Sequence, residues 1–282
     1  MTEVKTVQSL YFSPTGTTKK IVSTIAANTG LRLIPPVELT LHHQRDSFNG
    51  KIQGDLLIVG APVYHGSPPL LMLEPLNRLE GEGKWAVPVA VYGNRSPETC
   101  VEELTKILRS KGFKVPAAAS FSAEHSVSSP SIFLIAPGRP DQSDLEIAAK
   151  FGAQIYEKGS YGLSEIQMSN LLYNYFTKEM VDSLPEGYHK KAVDRARDLV
   201  GVEFSKNAMC TNCLSCENVC PTDAIKIELE EINDELCIRC MACTRACPEG
   251  VLNIRLRSAA TPEYLLRMRE IFSTRKEPKI FI

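Results

Sequence analysis

The chain carries CTNCLSCENVCPTDAIKI at residues 210–227 and, 27 residues later, CIRCMACTRACPEGVLNI at residues 237–254. The two stretches align cysteine with cysteine and proline with proline. Together they contain eight of the nine cysteines in the 282-residue chain. This repeat predicts a small unit with two equivalent sites related by pseudo-symmetry.

Each copy has the spacing C-x2-C-x2-C-x3-C-P, which is typical of [4Fe–4S] clusters. Three closely spaced thiolates bind three iron corners of one cubane, and the fourth cysteine reaches the other cluster. The spacing predicts a first set of ligands, Cys210, Cys213, Cys216 and Cys247, and a second set, Cys220, Cys237, Cys240 and Cys243. Zinc is one alternative, but zinc sites usually consist of C-x2-C pairs separated by a loop. A disulfide scaffold is the other alternative, and a reducing compartment disfavours it.

The bulk composition excludes several classes of protein. The chain is 43% hydrophobic and 23% charged, with a formal net charge of −1, so no global basic field attracts nucleic acid or anionic lipid. No stretch approaches 18 consecutive apolar residues, which argues against a membrane span. The N-terminus lacks the pattern of a secretory signal. We therefore expect a cytoplasmic protein, in which thiols stay reduced.

Short apolar runs alternate with helical patterns over roughly the first 160 residues. The expected strands are Thr6–Phe12, Leu31–Leu39, Asp55–Gly60, Trp85–Tyr92 and, more weakly, Lys114–Phe121. The expected helices are Thr17–Asn28, Leu70–Leu79, Pro97–Lys111 and Asp141–Gly159. Strands rich in Val, Ile and Leu that alternate with helices predict βαβ units. The pattern favours an α/β fold with an open, doubly wound parallel sheet.

The loop between the first strand and the first helix has the sequence SPTGTT at residues 13–18. Hydroxyl side chains, a glycine and backbone amides at a helix N-terminus form a strong anion site. The loop contains no lysine and no G-x-G-x-x-G pattern, so it is neither a nucleoside-triphosphate P-loop nor a dinucleotide fingerprint. A hydroxyl-rich loop without a counter-charge suits the terminal phosphate of FMN. The alternative is that these residues only cap a helix.

The loop resembles the phosphate loop of the flavodoxin family, [ST]-x-T-G-x-T, and its matching residues are Ser13, Thr15, Gly16, Thr17 and Thr18. The resemblance implies that two later loops enclose the isoalloxazine ring of FMN. They contribute Pro62, Val63, Tyr64, His65 and Gly66, and Tyr92, Gly93, Asn94 and Arg95. Tyr64 is expected to stack on the ring, and Asn94 and Arg95 to contact its pyrimidine edge. Glu124-His125-Ser126 is a weaker candidate for the same site.

The cysteine-rich segment from Phe204 to Leu256 resembles the two-cluster bacterial ferredoxins. The whole chain resembles the flavodoxin–ferredoxin fusion proteins known as EFR-type ferredoxins. This resemblance implies FMN and two [4Fe–4S] clusters as cofactors. The expected domains are a flavodoxin-like FMN-binding domain at 1–162, a helical connector at 163–200, a two-cluster ferredoxin domain at 201–257 and a helical tail at 258–282.

The leading hypothesis is an electron-transfer protein that passes electrons between the clusters and FMN, and on to a redox protein partner. The alternative is a flavin-dependent reductase of a small organic substrate, fed by the clusters. The flavin face distinguishes the two, because a carrier exposes the ring edge and an enzyme covers it with a pocket. Residues 125–140 are the candidate roof of such a pocket. A third hypothesis is a cluster-bearing sensor without flavin.

Overall fold

The computed structural model describes residues 4–160, 165–166 and 197–282. Most of the helical connector expected at 163–200 lies outside the described residues. Within the described ranges, every helix is too short or too polar to cross a bilayer.

Five parallel strands form the centre of the N-terminal domain. Their bounds are β1 Thr6–Tyr11, β2 Arg32–Glu38, β3 Leu56–Pro62, β4 Trp85–Tyr92 and β5 Ala118–Ser122. The strand order is β2-β1-β3-β4-β5, which is the flavodoxin-like order of a doubly wound sheet. The α/β fold class predicted from the sequence is therefore confirmed. In this topology the ligand-binding edge lies beyond the carboxyl ends of β1, β3 and β4.

Helices cover both faces of this sheet. The bounds are α1 Thr17–Ala27, α2 His42–Ser47, α3 Leu70–Asn77, α4 Cys100–Ser110 and α5 Gln142–Ser160. Apolar residues of α1 and α5 pack with one face of the sheet, and those of α3 and α4 pack with the other. The buried strands are apolar on both sides because both faces are covered.

The cysteine-rich unit has its own small core. Its elements are β6 Val200–Phe204, α6 Ser215–Asn218, β7 Ile225–Lys226, β8 Glu231–Ile232, α7 Ala242–Ala246 and β9 Leu252–Leu256. Strand β6 pairs antiparallel with β9, and β7 pairs antiparallel with β8. The core consists of apolar side chains such as Val202, Ile225 and Leu252 together with several of the cysteines.

The C-terminal segment returns to the first domain. It contains α8 Pro262–Ser273, which starts with Thr261 accepting the Tyr264 N–H at 3.2 Å, as expected for a threonine N-cap. Strand β10, Lys279–Phe281, then pairs antiparallel with β5 as the sixth strand of the sheet. The sequence predicted the helix, but a helical tail does not account for β10.

Candidate functional site

The loop after β1 turns directly into α1. Gly16 precedes α1 with a φ of 83°, a left-handed conformation that glycine adopts without strain. Ser13 Oγ accepts the Lys19 N–H at 3.0 Å, so one of the hydroxyls does cap the helix. Thr18 Oγ1 is buried and has no hydrogen-bond partner among the described residues. A buried hydroxyl in that state fits a ligand oxygen, such as that of a phosphate.

A narrow cavity joins this loop to the ends of β3 and β4, and we call it the hydroxyl cavity. It is lined by Ser13, Pro14, Thr15, Thr17 and Thr18, by Pro62, Val63 and Tyr64, by Val91, Tyr92 and Gly93, and by residues 123–126. The structure thus brings the hydroxyl loop together with parts of both later loops and with Glu124-His125-Ser126. Gly16 is not part of its lining.

A larger chamber of about 260 Å³ adjoins the hydroxyl cavity, and we call it the roofed chamber. The two spaces share Val63, Tyr64, Tyr92, Gly93 and His125, while the chamber alone is lined by His65, Gly66 and Arg95. Its opposite walls come from residues 127–135, from α8 and from the cysteine-rich unit. A predominantly apolar space with a few polar groups is the usual composition of a small-molecule site.

Tyr64 lies where the two spaces meet. Its ring packs edge-to-face against Phe12, with centroids 6.5 Å apart and planes at 88°. Burial raises the pKa of Tyr64 well above its usual value, and the nearby Cys240 adds to that effect. The phenol is therefore uncharged near neutral pH, and it lies close to a cysteine of the second set.

His125 forms another wall between the two spaces. Burial lowers its pKa to about 4, and the neighbouring cations of Arg95 and Arg245 act in the same direction. The imidazole is therefore neutral at pH 7. It lies edge-on to Phe272 of α8, with centroids 5.4 Å apart. Gly93 permits this position, because a Cβ there would lie 2.2 Å from His125 Cδ2.

Asn94 and Arg95 differ in where the structure places them. Asn94 is 2% exposed, and its amide donates to Phe272 O at 2.8 Å and Thr274 O at 3.0 Å. Its Oδ1 accepts from Ser122 Oγ at 2.9 Å. The Asn94 side chain is thus engaged with the C-terminal segment, and it is not part of the chamber lining. Arg95 lines the chamber but is 49% exposed and forms an ion pair with Glu98.

The eight repeat cysteines fall into two separate groups in the structure. Cys210, Cys213, Cys216 and Cys247 line one small cavity, and Cys220, Cys237, Cys240 and Cys243 line another. These are the first and second sets expected from the spacing. Among the described residues, no three His, Cys, Asp or Glu side chains converge closely enough to hold a single metal ion.

The backbone around the two sets repeats as closely as the sequence does. Non-glycine residues adopt left-handed φ at equivalent positions, namely Asn212 and Leu214 in the first copy and Arg239 and Met241 in the second. After the fourth cysteine of each copy, a backbone N–H donates to its sulfur at 3.2 Å, from Ala224 to Cys220 and from Val251 to Cys247. Amides that point at sulfur stabilise thiolate ligands and help to set cluster potentials. The donor set therefore fits a pair of iron–sulfur clusters.

The two sets differ in exposure. Cys210 and Cys213 are exposed, whereas Cys240 and Cys243 are buried. Burial raises the pKa of the Cys240 thiol to about 12, so a nearby cation is needed to hold it as a thiolate at neutral pH. The first set thus reaches the surface through Cys210 and Cys213, although its Cys216 is buried, and three of the four cysteines of the second set are buried.

Direct contacts join the second set to the N-terminal domain. The buried Arg45 of α2 donates from Nη2 to Pro221 O at 2.5 Å, next to Cys220. Ile238 lines both the cavity of the second set and the roofed chamber. It also packs against the core on the α3 and α4 face of the sheet. The cavity of the second set and the chamber therefore share Ile238 as a lining residue.

Sequence reasoning missed the chamber residues that come from outside the N-terminal domain. They are Leu199, Val200, Ile238, Arg239, Leu256 and Ala260, with Tyr264, Leu265, Met268 and Phe272 of α8. The last four carried a usable signal, because their spacing places them on one side of a helix. Cys100, the ninth cysteine, is buried in α4 and lines neither cysteine cavity.

Residues 209–252 match the family of 4Fe-4S dicluster domains. The chain joins a flavodoxin-like domain to a 4Fe-4S dicluster domain. A search of curated proteins found no match to the chain. The first of these domains is identified by its strand order and the second by the family match.

Solved structures similar to the flavodoxin-like domain include a flavodoxin from the domain Archaea, at 15% identity and a TM-score of 0.40, covering 55% of this chain and 99% of that one. Rubredoxin oxygen:oxidoreductase from the anaerobe Desulfovibrio gigas is 17% identical with a TM-score of 0.39, covering 56% of this chain and 38% of that one. The Trp repressor binding protein from Bacillus subtilis is 16% identical with a TM-score of 0.34, covering 51% and 96%.

Proposed function

We propose that this chain binds two [4Fe–4S] clusters and one FMN, and that it passes electrons between them and on to a redox partner. The observation that carries the proposal is the position of Ile238, which lines both the cavity of the second cysteine set and the roofed chamber. Two redox centres whose cavities share a lining residue are suited to rapid electron exchange.

The eight cysteines of the repeat are the proposed iron ligands, four to each cluster. Each set surrounds its own cavity, and the N–H groups of Ala224 and Val251 donate to the sulfurs of Cys220 and Cys247. The crossing of the fourth cysteine between copies follows the ferredoxin pattern. The two separate cavities and the repeated N–H···S contacts support two clusters rather than one.

The proposed FMN site spans both spaces. The Thr18 hydroxyl, which has no partner among the described residues, and the N-terminus of α1 suit the phosphate. The roofed chamber suits the isoalloxazine ring. Tyr64, at the junction, is the proposed stacking residue. When bound, iron–sulfur clusters transfer single electrons, and a flavin exchanges them singly or in pairs.

The chain's own residues control access to these centres. The exposed Cys210 and Cys213 bring the first set to the surface, where a partner protein can approach it. Tyr64 and the walls of the chamber partly cover the ring site. His125, neutral at pH 7 because burial lowers its pKa to about 4, adds no charge to that wall.

The test is to prepare the protein without oxygen and to measure iron, sulfide and flavin. We expect about eight iron atoms and one FMN per chain. Anaerobic reduction followed by EPR and flavin absorbance should show fast exchange between flavin and clusters. Zinc in place of iron, or independent reduction of flavin and clusters, contradicts the proposal.

The roof over the chamber favours a second candidate function, a flavin-dependent reductase of a small organic substrate. Residues 127–135 and α8 cover the space expected to hold the ring, whereas a simple carrier exposes the ring edge. The candidates are separated by mixing the reduced protein with small organic acceptors and with oxidised carrier proteins. Faster reoxidation by the small acceptors supports a reductase, and faster reoxidation by the proteins supports a carrier.

A further inference from the structure

Arg239 is a buried cation in the wall between the second cysteine set and the roofed chamber. It lies between Cys237 and Cys240 and adopts a left-handed φ of 61°. Its side chain is 5% exposed, and it lines the chamber together with Ile238. A residue of the dicluster domain therefore contributes to the space that the flavodoxin-like domain opens.

The protein does not fully satisfy this guanidinium. Nε is buried without a hydrogen-bond partner among the described residues. Nη1 donates to Cys237 O at 3.4 Å, and Nη2 lies 2.7 Å from Asp234 Oδ1. Asp234 also forms an ion pair with Arg257, so one carboxylate is shared by two guanidinium groups. A buried cation in this state is costly unless a ligand completes its environment.

The charge of the chamber points to the nature of that ligand. Its described lining includes Arg95 and Arg239 but neither Asp nor Glu. The charge of Arg95 is largely compensated by Glu98 and exposed to solvent, whereas Arg239 is shielded from water. Electrostatic interactions are stronger at a water-excluded site than at an exposed one. The chamber therefore favours a ligand that carries negative charge next to Arg239.

We propose that Arg239 is a flavin-binding residue, and that its guanidinium contacts the edge of FMN that becomes negatively charged on reduction. The inference rests on the proposed function, because it requires FMN in the roofed chamber. The sequence pointed to Arg95 for this role, and the structure adds a second arginine from the other domain. The flavin site is then complete only when the dicluster domain is docked.

The consequence is that Arg239 favours reduced over oxidised FMN. Removing its charge should weaken the binding of reduced FMN relative to oxidised FMN by about tenfold, which lowers a two-electron potential by about 30 mV. Arg239→Met removes the charge and keeps most of the apolar stem. Arg239→Lys keeps the charge without the planar fork and should recover most of the potential.

Arg257→Met is the matched control, since Arg257 shares Asp234 with Arg239 but does not line the chamber. Iron and FMN per chain are measured first for each anaerobically prepared protein, and the flavin potential is then followed by absorbance at pH 7. We expect a clearly larger fall in potential for Arg239→Met than for Arg257→Met. An unchanged potential in Arg239→Met, or an equal shift in Arg257→Met, overturns the inference.

If Arg239→Met loses iron, Arg239→Gln replaces it in the comparison, because glutamine keeps a polar side chain without charge. The expected and contradicting outcomes stay the same. Failure of this inference is distinct from failure of the proposed function. If the unmodified protein retains neither iron nor FMN, the function is wrong. If it retains both and the Arg239 variants keep its potential, only the role of Arg239 is wrong.

Discussion

At the scale of single residues, a substitution of Thr18 tests FMN binding without a large effect on folding. Its hydroxyl is buried without a partner among the described residues, so Thr18→Val removes no hydrogen bond seen in the protein. We expect little change in the melting temperature of the FMN-free protein. FMN binding should weaken by about tenfold or more, because a hydrogen bond to a charged group contributes about 1.5–3 kcal/mol.

The matched control for this prediction is Thr105→Val in α4. The Thr105 hydroxyl is also buried but donates to Val101 O at 2.8 Å. This variant should lose up to about 1 kcal/mol of stability and retain its FMN affinity. Titration of flavin fluorescence measures the affinity, and thermal unfolding measures the stability. Equal affinities of Thr18→Val and the unmodified protein would remove Thr18 from the phosphate site.

His125 predicts a pH dependence of stability. Its pKa falls from about 6.5 to about 4 on folding, chiefly because of burial. The unfolded chain therefore binds this proton first as the pH drops, and stability present above pH 6.5 is lost progressively toward pH 4. Between pH 7.5 and 5.5 the loss should be on the order of 1 kcal/mol.

Thermal unfolding without oxygen over this range measures that loss. His125→Gln should flatten the pH dependence, whereas His43→Gln, at an exposed position of α2, should leave it unchanged. Comparison between variants removes the contribution of cluster loss at low pH, which is common to all three proteins. Identical slopes for His125→Gln and the unmodified protein would show that His125 does not titrate in this way.

Some residues of the candidate site could be predicted from the sequence, and others could not. The cysteine spacing alone predicted two sets, since ligand geometry dictates local spacing. The hydroxyl loop was predictable for the same reason. Asn94 was not, because its engagement by the C-terminal segment depends on residues 178 and more positions away. Arg239 was hidden inside a cluster motif, where the flanking cysteines explain the whole stretch.

At the scale of elements, α8 adds to the roof that the sequence predicted only from residues 125–140. Leu265 lines the chamber, while its neighbour Leu266 is 63% exposed. Leu265→Ala should weaken FMN binding roughly fivefold and lower stability by about 1–2 kcal/mol, because it removes partly buried apolar contact. Leu266→Ala changes the same residue type on the same helix and should alter neither quantity.

FMN titration and thermal unfolding of the two alanine variants give the comparison. A shift of the same size in both variants would mean that α8 acts through helix propensity, since each variant changes that propensity equally. A shift in Leu265→Ala alone supports a roof that contacts the ligand. The experiment therefore tests whether the side of α8 that lines the chamber contacts FMN.

Elements that the sequence did not predict share a physical reason. The helix α2 has only six residues, too few for a clear apolar periodicity. Strand β10 has three, and its pairing with β5 is a contact between distant parts of the chain. The last of the expected strands was to begin at Lys114, but β5 begins at Ala118, and Lys114 forms only an isolated bridge to Trp85. Long, strongly patterned elements such as β3, β4 and α5 matched the expected positions closely.

At the scale of the whole molecule, the two domains are arranged in series. The first cysteine set faces solvent and the second faces the chamber, with Ile238 between the second set and the ring site. The described lining of the chamber and of the hydroxyl cavity includes residues next to the second set but none from 210–216. Under the proposed function, the second cluster is therefore the expected intermediate between the first cluster and the flavin.

This order predicts the effect of damaging one cluster at a time. Cys240→Ser weakens the second cluster, and electron exchange between the first cluster and FMN should slow by at least about tenfold, since the intermediate is altered. Cys213→Ser alters the first cluster instead, and exchange between the second cluster and FMN should stay fast. Cys100→Ser, a buried cysteine outside both sets, should behave as the unmodified protein. Rapid-mixing flavin absorbance with freeze-quench EPR follows each centre. Fast exchange from the first cluster in Cys240→Ser would mean that electrons reach the flavin by a route that avoids the second cluster.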